Sequence, residues 1–379
     1  MKKTLLILVA LVLIILVHYA GPFQPLDFRE HQVGSVDIEH EKARLMVIGL
    51  DDDGNIEDPT AIQKVSDTIA EFRPKLVFLF VHGWRGDGSK ENEQEGDLGR
   101  YKQFLNQTTD VFDNHPLIRQ WRQDRVLGIY VAWHGHARSE LSLLSFWNRY
   151  DVASKIGENP NIFPQLQTLF HEAHQQSAYR SPVRVVLFAH SMGGQIVNGW
   201  LNQLEDPLDL HKQGKMPDLT LIINPAAPTK QYDRFVEQYH SRHKKQKQTP
   251  PLIISIASTG DSATRWFYPI GTLETAIGHK HQTHLISPTP QPKTSALCRE
   301  EDTPFSYNLL CDEFPQTRLF RTRNGYYTIE SKEEETSPYW VIRLPPDILA
   351  DHMSFFDEDF IACTGALFKY SKSYIWKKR

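Results

Sequence analysis

The sequence is poor in cysteine and has no strong net charge. Its 379 residues include three cysteines, Cys298, Cys311 and Cys363, which excludes a disulfide-dense scaffold. The formal net charge is −4, and the sequence has no basic stripe that would follow a phosphate backbone, so nucleic acid is not an expected partner. Internal repeats and low-complexity tracts are also missing. With 40% hydrophobic residues, the chain is expected to fold around a sizeable core.

The longest uncharged apolar run lies at the amino terminus. Lys2 and Lys3 precede a leucine-rich stretch over residues 5–17, a pattern typical of an export signal. The residues that follow match a signal-peptidase site poorly, and residues 4–20 just reach the length needed to cross a bilayer. We therefore expect residues 1–23 to be an uncleaved membrane anchor, with residues 24–379 as one extracytoplasmic domain. If the segment is cleaved, the protein is secreted.

An exported location permits disulfide bonds. Cys298 and Cys311 flank a polar stretch and would close a short loop if they were bonded. Three unpaired thiols are the alternative, and the spacing does not decide between the two.

Beyond the anchor, short β-branched or apolar runs alternate with longer helical patterns. This alternation predicts an α/β fold with a mostly parallel sheet flanked by helices. The predicted strands are residues 45–50, 76–81, 126–133, 183–188, 219–223, 252–257 and 339–344. Apolar residues at helical spacing predict helices over residues 60–72, 164–177 and 194–204.

Two segments depart from this alternation. Residues 87–99 are polar and glycine-rich, which predicts a mobile surface loop. Residues 264–335, between the last two predicted strands, are too long for a simple crossover and contain a possible strand at 326–329. We interpret them as an insertion that serves as a lid or cap.

The most informative motif surrounds Ser191. The run from Ala189 to Gly194 sets this serine among small residues, directly after a predicted buried strand and before a predicted helix. Such a strand must turn sharply into the helix, which raises the hydroxyl at the carboxyl end of the sheet. Ala189 replaces the first glycine of the Gly-x-Ser-x-Gly pattern, and that position needs only a small side chain. Ser191 is therefore the candidate nucleophile.

A serine alcohol needs a base and a third group that orients the base. Asp261 follows the predicted strand 252–257, and His352 follows the last predicted strand, 339–344. Both residues come at the strand ends where the partners of such a serine are expected. Asp351, beside His352, and Asp233 are rival acids, but adjacent side chains on a turn seldom face one another.

The oxyanion formed by attack on a carbonyl requires preorganised donors. The backbone N–H of Met192, directly after the serine, is the first candidate. The His82-Gly83-Trp84 segment ends the predicted strand 76–81, and its glycine would let the Trp84 N–H face the serine. His82, Gly83 and His190 are expected to line the substrate site.

On these residues the chain resembles the α/β-hydrolase fold, and in particular poorly characterised esterase or lipase-like members with a His-Gly-Trp oxyanion segment. The likeness covers residues 45–356 and includes the runs at 130–135, 145–149 and 261–264. The resemblance implies the fold, a Ser191–His352–Asp261 triad and ester-type hydrolysis without a cofactor. It implies no particular substrate.

Two segments have metal-like composition. His279, His281 and His284 lack a carboxylate or cysteine at ligand spacing, so a surface loop is the simpler interpretation. The acidic run 51–55 lacks the glycine and glutamate that a calcium loop needs. No metal site is therefore expected. His134 and His136 follow a strand end. They either line the pocket or belong to a polar loop near the site.

The sequence thus predicts a serine hydrolase for small-molecule or lipid esters, attached to a membrane by its N-terminal segment. An amidase or thioesterase with the same triad is one alternative. A catalytically silent protein of the same fold that binds a lipid or a partner is another. Oligomeric state and acyl chain length are not determined by these patterns.

Overall fold

A computed structural model gives the architecture of the chain. It describes residues 28–114, 125–136, 145–176, 183–243, 251–290, 319–322, 324–331, 337–357, 359–361, 363, 364 and 367. The predicted anchor, residues 1–23, and the cysteines at 298 and 311 lie outside these residues. Within the ranges just given, no helix has both the length and the apolar character needed to cross a membrane.

The described strands form one 11-stranded sheet in the order β1-β2-β4-β3-β5-β6-β7-β11-β8-β10-β9. Their bounds are β1 Gly34–Val36, β2 Ala43–Leu50, β3 Leu76–Val81, β4 Val126–Trp133, β5 Arg184–His190, β6 Leu219–Ile223, β7 Ile253–Ser258, β8 His284–Thr289, β9 Leu319–Thr322, β10 Gly325–Ser331 and β11 Tyr339–Leu344. Every neighbouring pair between β2 and β8 in this order is parallel. The antiparallel pairings involve β1 and β10 near the two edges.

Helices cover both faces of the sheet. They are α1 Ala61–Phe72, α2 Lys90–Glu95, α3 Asp97–Asn114, α4 Ser145–Glu158, α5 Ile162–Gln175, α6 Met192–Asn202, α7 Pro207–Lys212, α8 Thr229–Arg242 and, after a π-helical turn at Ala263–Phe267, α9 Tyr268–Thr272. One apolar core lies between the sheet and α1, α4, α5 and α6. A second core, on the opposite face, packs α3 and residues after β11 against the sheet.

This architecture is α/β-hydrolase-like, as the sequence predicts. All seven predicted strands are present, and those at 76–81, 126–133, 219–223 and 339–344 agree with β3, β4, β6 and β11 at both ends. The central strands are buried along nearly their whole length, because helices cover both faces of a parallel sheet. Continuous apolar runs of five to eight residues are the expected signature of such strands.

The segment 264–335 is partly built into the sheet. Its described residues include β8, β9 and β10, which extend the sheet beyond β11, and β10 contains the predicted strand at 326–329. Residues 291–318 lie outside the described part of the chain. A lid role for this segment stays a prediction.

The prediction of a mobile loop over residues 87–99 is wrong. Ser89 accepts a hydrogen bond from the Asn92 amide and caps helix α2, which begins at Lys90. Asp87 accepts a hydrogen bond from the Ser89 amide at 2.9 Å. Asp87, Ser89, Asn92 and Asp97 are all buried. The polar residues that suggested a solvated loop instead satisfy buried backbone groups.

Candidate active site

The turn from β5 into α6 holds Ser191 in an unusual backbone conformation. Ser191 has φ 52° and ψ −116°, a combination that non-glycine residues rarely adopt and that costs on the order of 1–3 kcal/mol. Close packing around the turn maintains it. A side chain at Gly193 would put its Cβ 2.2 Å from the carbonyl oxygen of Val81, so only glycine lets α6 approach β3 this closely. The sharp strand-to-helix turn expected from the sequence is present.

Three side chains from distant parts of the chain form a hydrogen-bonded series at the carboxyl end of the sheet. Ser191 Oγ lies 2.9 Å from His352 Nε2. On the other side of the imidazole, His352 Nδ1 lies 2.9 Å from Asp261 Oδ2. Ser191 follows β5, Asp261 follows β7 and His352 follows β11. The structure therefore brings together the serine, imidazole and carboxylate that the sequence singled out.

The surroundings of Asp261 keep its carboxyl ionised. Burial alone would raise the pKa of Asp261, but hydrogen bonds from His352 and Thr264 outweigh it and lower the pKa to about 2. An ionised carboxylate only accepts hydrogen bonds. His352 Nδ1 must then carry the proton that Asp261 accepts, which leaves Nε2 of the neutral imidazole free to accept the proton of the Ser191 hydroxyl.

The two rival acids face elsewhere. Asp351 Oδ1 accepts hydrogen bonds from the Met353 amide at 2.8 Å and the Ser354 hydroxyl at 2.7 Å. Asp233, on α8, pairs with His281 at 2.8 Å. Asp261 is the acid in contact with the His352 ring.

Asn224, directly after β6, supports the loop that carries His352. Its side-chain amide donates to the carbonyl oxygens of Asp351 at 3.1 Å and His352 at 3.2 Å. Its side-chain oxygen accepts a hydrogen bond from the Ser258 amide at 2.8 Å. The residue has φ 45°, a left-handed conformation that asparagine tolerates better than most residues. Sequence reasoning missed Asn224, and its only signal is an asparagine at a strand end.

A second layer of hydrogen bonds surrounds Asp261. Its Oδ1 accepts from the amides of Ala263 at 2.8 Å and Thr264 at 3.2 Å, while the Thr264 hydroxyl donates to Oδ2. Because that hydroxyl is already a donor, it accepts from His279 Nε2 at 2.9 Å. His279 was considered in the sequence only within a histidine-rich loop. Its position instead connects it, through Thr264, to the carboxylate.

The His82–Trp84 segment lies against the serine turn. A Cβ at Gly83 would come within 2.9 Å of both the Ser191 Cβ and His190 Nδ1, so a larger residue would push the two turns apart. The Gly83 amide donates to the buried carboxyl of Asp97, whose pKa burial raises to about 6. Met192 is the first residue of α6, and its N–H consequently has no acceptor within the helix.

His82 does not line an open surface. It is fully buried, and burial lowers its pKa to about 4, so the ring is neutral near pH 7. Its Nε2 accepts the Trp133 amide at 3.0 Å, and its Nδ1 therefore donates to the Gly83 carbonyl at 2.8 Å. Both ring nitrogens of His82 hydrogen-bond to the backbone, so the side chain stabilises the turn. Contact of His82 with a substrate stays a prediction.

His190 is also buried. Burial and the nearby His352 hold its pKa well below the usual range, and Nε2 of the neutral ring donates to the main-chain carbonyl of His352 at 2.8 Å. This side chain therefore holds the His352 loop from one side while Asn224 holds it from the other. Contact of Gly83 or His190 with a substrate stays a prediction.

Comparisons with known proteins add little to this geometry. No family model matches the sequence, and no curated protein matches it. Among solved structures, the crystal structure of TT1662 from Thermus thermophilus is similar over 78% of this chain and 88% of its own, with 11% sequence identity and a TM-score of 0.30. So distant a likeness says nothing about chemistry, and functional inference rests on the arrangement of the side chains.

Proposed function

We propose that the protein is a serine hydrolase that cleaves carboxylic esters through an acyl-enzyme. The observation that carries this proposal is the pair of 2.9 Å contacts that join Ser191 Oγ to His352 Nε2 and His352 Nδ1 to Asp261. A fold compatible with hydrolases surrounds this pair. Together these features supply a nucleophile, a general base and an orienting carboxylate in one series.

In this mechanism His352 Nε2 removes the proton from Ser191 Oγ as the oxygen attacks the ester carbonyl carbon. The imidazolium that forms is stabilised by the ionised Asp261, and it then donates its proton to the departing alcohol. Water attacks the acyl-serine by the same route, with His352 again as base, and releases the carboxylic acid. The main-chain amides of Trp84 and Met192 would donate to the oxyanion in both steps.

Exposed apolar residues that follow Asp261 and His352 in the sequence support an ester with an apolar acyl group. Large apolar side chains are exposed on the turn and helix that begin two residues after Asp261 and on the residue that caps the end of this helix, and one more follows His352. They are Trp266, Phe267, Ile270, Leu273 and Met353. Leu273 is 90% exposed. Apolar surface of this kind is commonly used to bind an apolar ligand.

The test is hydrolysis of p-nitrophenyl esters of graded chain length by the full chain, with Ser191→Ala and Ser354→Ala compared. Ser354 is a matched control because, among the described residues, its hydroxyl donates to the exposed carboxylate of Asp351 and not to the triad. The proposal expects Ser191→Ala to lose at least about 10³-fold in kcat and Ser354→Ala to keep activity. Undiminished turnover by Ser191→Ala would exclude Ser191 as the nucleophile. Hydrolysis of amides or thioesters in preference to oxygen esters would reassign the acyl chemistry.

A further inference from the structure

A second cluster of chemically capable side chains lies outside the serine site. His31 precedes β1, Glu57 lies between β2 and α1, and His134 follows β4. One potential ligand atom from each of the three lies within 4.8 Å of the other two. His31 Nδ1 is 3.1 Å from Glu57 Oε2, and His134 Nε2 is 3.6 Å from Glu57 Oε1.

These separations suit a single small cation. Zinc bonds to nitrogen and oxygen ligands are about 2.0–2.1 Å long, so adjacent ligands of a tetrahedral ion lie about 3.3 Å apart. The observed distances, 3.1 Å to Glu57 Oε2 and 3.6 Å to Glu57 Oε1, fall on either side of that value, one from each carboxylate oxygen. The longer contact exceeds a hydrogen-bond distance. An ion between His134 and Glu57 would account for two groups that face each other without a hydrogen bond.

The hydrogen bonding of His134 leaves one ring nitrogen available. His134 Nδ1 lies 3.3 Å from Asp52 Oδ1, and the guanidinium of Arg149 holds both Asp52 oxygens at 2.9 and 3.0 Å. A carboxylate so paired is an acceptor, so Nδ1 donates to it, and Nε2 is the ring nitrogen that faces Glu57. A carboxylate that orients a histidine through its remote nitrogen is the usual outer support of a protein-bound metal.

The backbone leaves room for these ligands at Gly49. A Cβ at this position would lie 2.3 Å from Glu57 Oε2 and 3.0 Å from His31 Nδ1, so any side chain here would fill the space where the ligand atoms converge. The Glu57 amide donates to the Gly49 carbonyl at 3.0 Å, which fixes the glutamate beside β2. Gly49 thus leaves room for the ligand atoms, and its carbonyl oxygen holds the backbone of Glu57.

Aromatic stacking fixes the two imidazoles. The Phe28, His134 and His31 rings stack in series with centroid distances of 4.6 and 4.7 Å. The His31 side chain is fully buried, and its Nε2 has no hydrogen-bond partner within the described residues. The cluster borders a cleft of about 320 Å³, so water could reach a fourth coordination position.

We propose that His31, Glu57 and His134 bind a divalent transition-metal ion of the zinc type, with water as the fourth ligand. Two imidazole nitrogens favour such an ion over Ca²⁺ or Mg²⁺, which prefer oxygen ligands. The ion would tie the segment around His31 to the ends of β2 and β4. Strand β3 separates β4 from β5, a distance of roughly 10 Å, so the ion is not part of the Ser191 series.

The experiment uses the full chain without a histidine tag, stripped with a chelator and then equilibrated with buffered Zn²⁺ or Co²⁺. Zinc content, affinity by competition with a chromophoric chelator, and the visible spectrum of the Co²⁺ form are measured. We expect one bound zinc ion per chain and a tetrahedral Co²⁺ spectrum. Glu57→Gln, which preserves shape, should weaken binding by at least about 100-fold, and Asp52→Asn by about 10- to 100-fold. Zinc should raise the Tm of the parent and not of Glu57→Gln.

His281→Gln is the matched control. His281 pairs with Asp233 at 2.8 Å, outside the cluster, so its loss should leave zinc affinity unchanged. Equal zinc affinity in the parent and Glu57→Gln would overturn the proposal. So would the absence of bound zinc in a folded parent. A Tm that nevertheless falls on Glu57→Gln would then reflect the ion pairs of Glu57 with His31 and His134 and no metal. None of these readouts depends on ester hydrolysis.

Discussion

The side-chain amide of Asn224 donates to the main-chain carbonyl of His352 at 3.2 Å. The same residue accepts a hydrogen bond from Ser258, at the end of β7. Asn224 therefore joins the strand end that precedes Asp261 to the loop that carries His352. The position of the His352 ring therefore depends on Asn224, whose side chain bonds to the main chain of His352 and not to the ring.

Replacement of Asn224 by aspartate keeps the shape of this side chain but should displace the His352 imidazole. The change keeps the acceptor for the Ser258 amide but sets a carboxylate oxygen against the Asp351 and His352 carbonyls. We expect kcat for ester hydrolysis to fall by about 10²-fold with little change in KM, because a small displacement of a catalytic group is costly. The matched control is Asn202→Asp, which breaks a comparable 2.8 Å amide–carbonyl bond at the end of α6. Equal activity of the two variants would argue against a positioning role for Asn224.

The two acidic residues near His352 should respond differently to amide substitution. Asp261→Asn is expected to reduce kcat by about 10³- to 10⁴-fold, since an amide can donate to Nδ1 and so stabilise the wrong imidazole tautomer. Asp351→Asn should lose less than about tenfold, because this carboxylate faces Met353 and Ser354. Steady-state kinetics on one ester gives both values. The reverse order of effects would make Asp351 the acid.

The buried carboxyl of Asp97 should make stability depend on pH in a defined window. Burial raises its folded pKa from the usual 3.8 to about 6, so the folded protein binds this proton more tightly than the unfolded chain. The contribution is complete below pH 4 and is lost as the pH rises through 6, a difference of about 3 kcal/mol. Asp97→Asn should flatten the dependence of unfolding free energy on pH between 4 and 6, as measured by urea titration.

Asp58 provides the control for that measurement. Hydrogen bonds from Lys64 and Thr60 lower its pKa to about 2. The associated stability is present above pH 4 and is lost as the pH falls toward 2. Because neither partner titrates between pH 4 and 6, Asp58→Asn should leave the slope in that window as in the parent. A parent slope retained in Asp97→Asn would show that another group titrates in this window.

Much of the fold follows from local sequence patterns. Strands β3 and β4 are continuous apolar runs, and β6 and β11 are apolar except for Thr220 and Arg343. A buried parallel strand needs little more than this signal. The relation between Ser191, Asp261 and His352 was also accessible, because each follows a strand whose carboxyl end lies at the same edge of the sheet. Chain order and strand ends together predict this convergence.

What the sequence did not indicate depends on contacts between distant residues. His31 and His134 are 103 positions apart in the numbering and meet only because β2 and β4 are neighbours in the sheet. Neither metal-like segment of the sequence, 279–284 or 51–55, contains these two residues. The polar pattern of residues 87–99 predicts a loop for a similar reason. Buried side chains such as Asp87 and Asn92 bond to backbone groups that only the folded chain presents.

The most direct test of the account is covalent labelling of the full chain with a fluorophosphonate, followed by peptide mapping. The reagent reacts with an activated serine and not with an ordinary surface hydroxyl. We expect stoichiometric modification on Ser191 in the parent, a strongly reduced rate in Asp261→Asn and no modification in Ser191→Ala. A folded parent that remains unlabelled, or that carries the adduct on another serine, would contradict it.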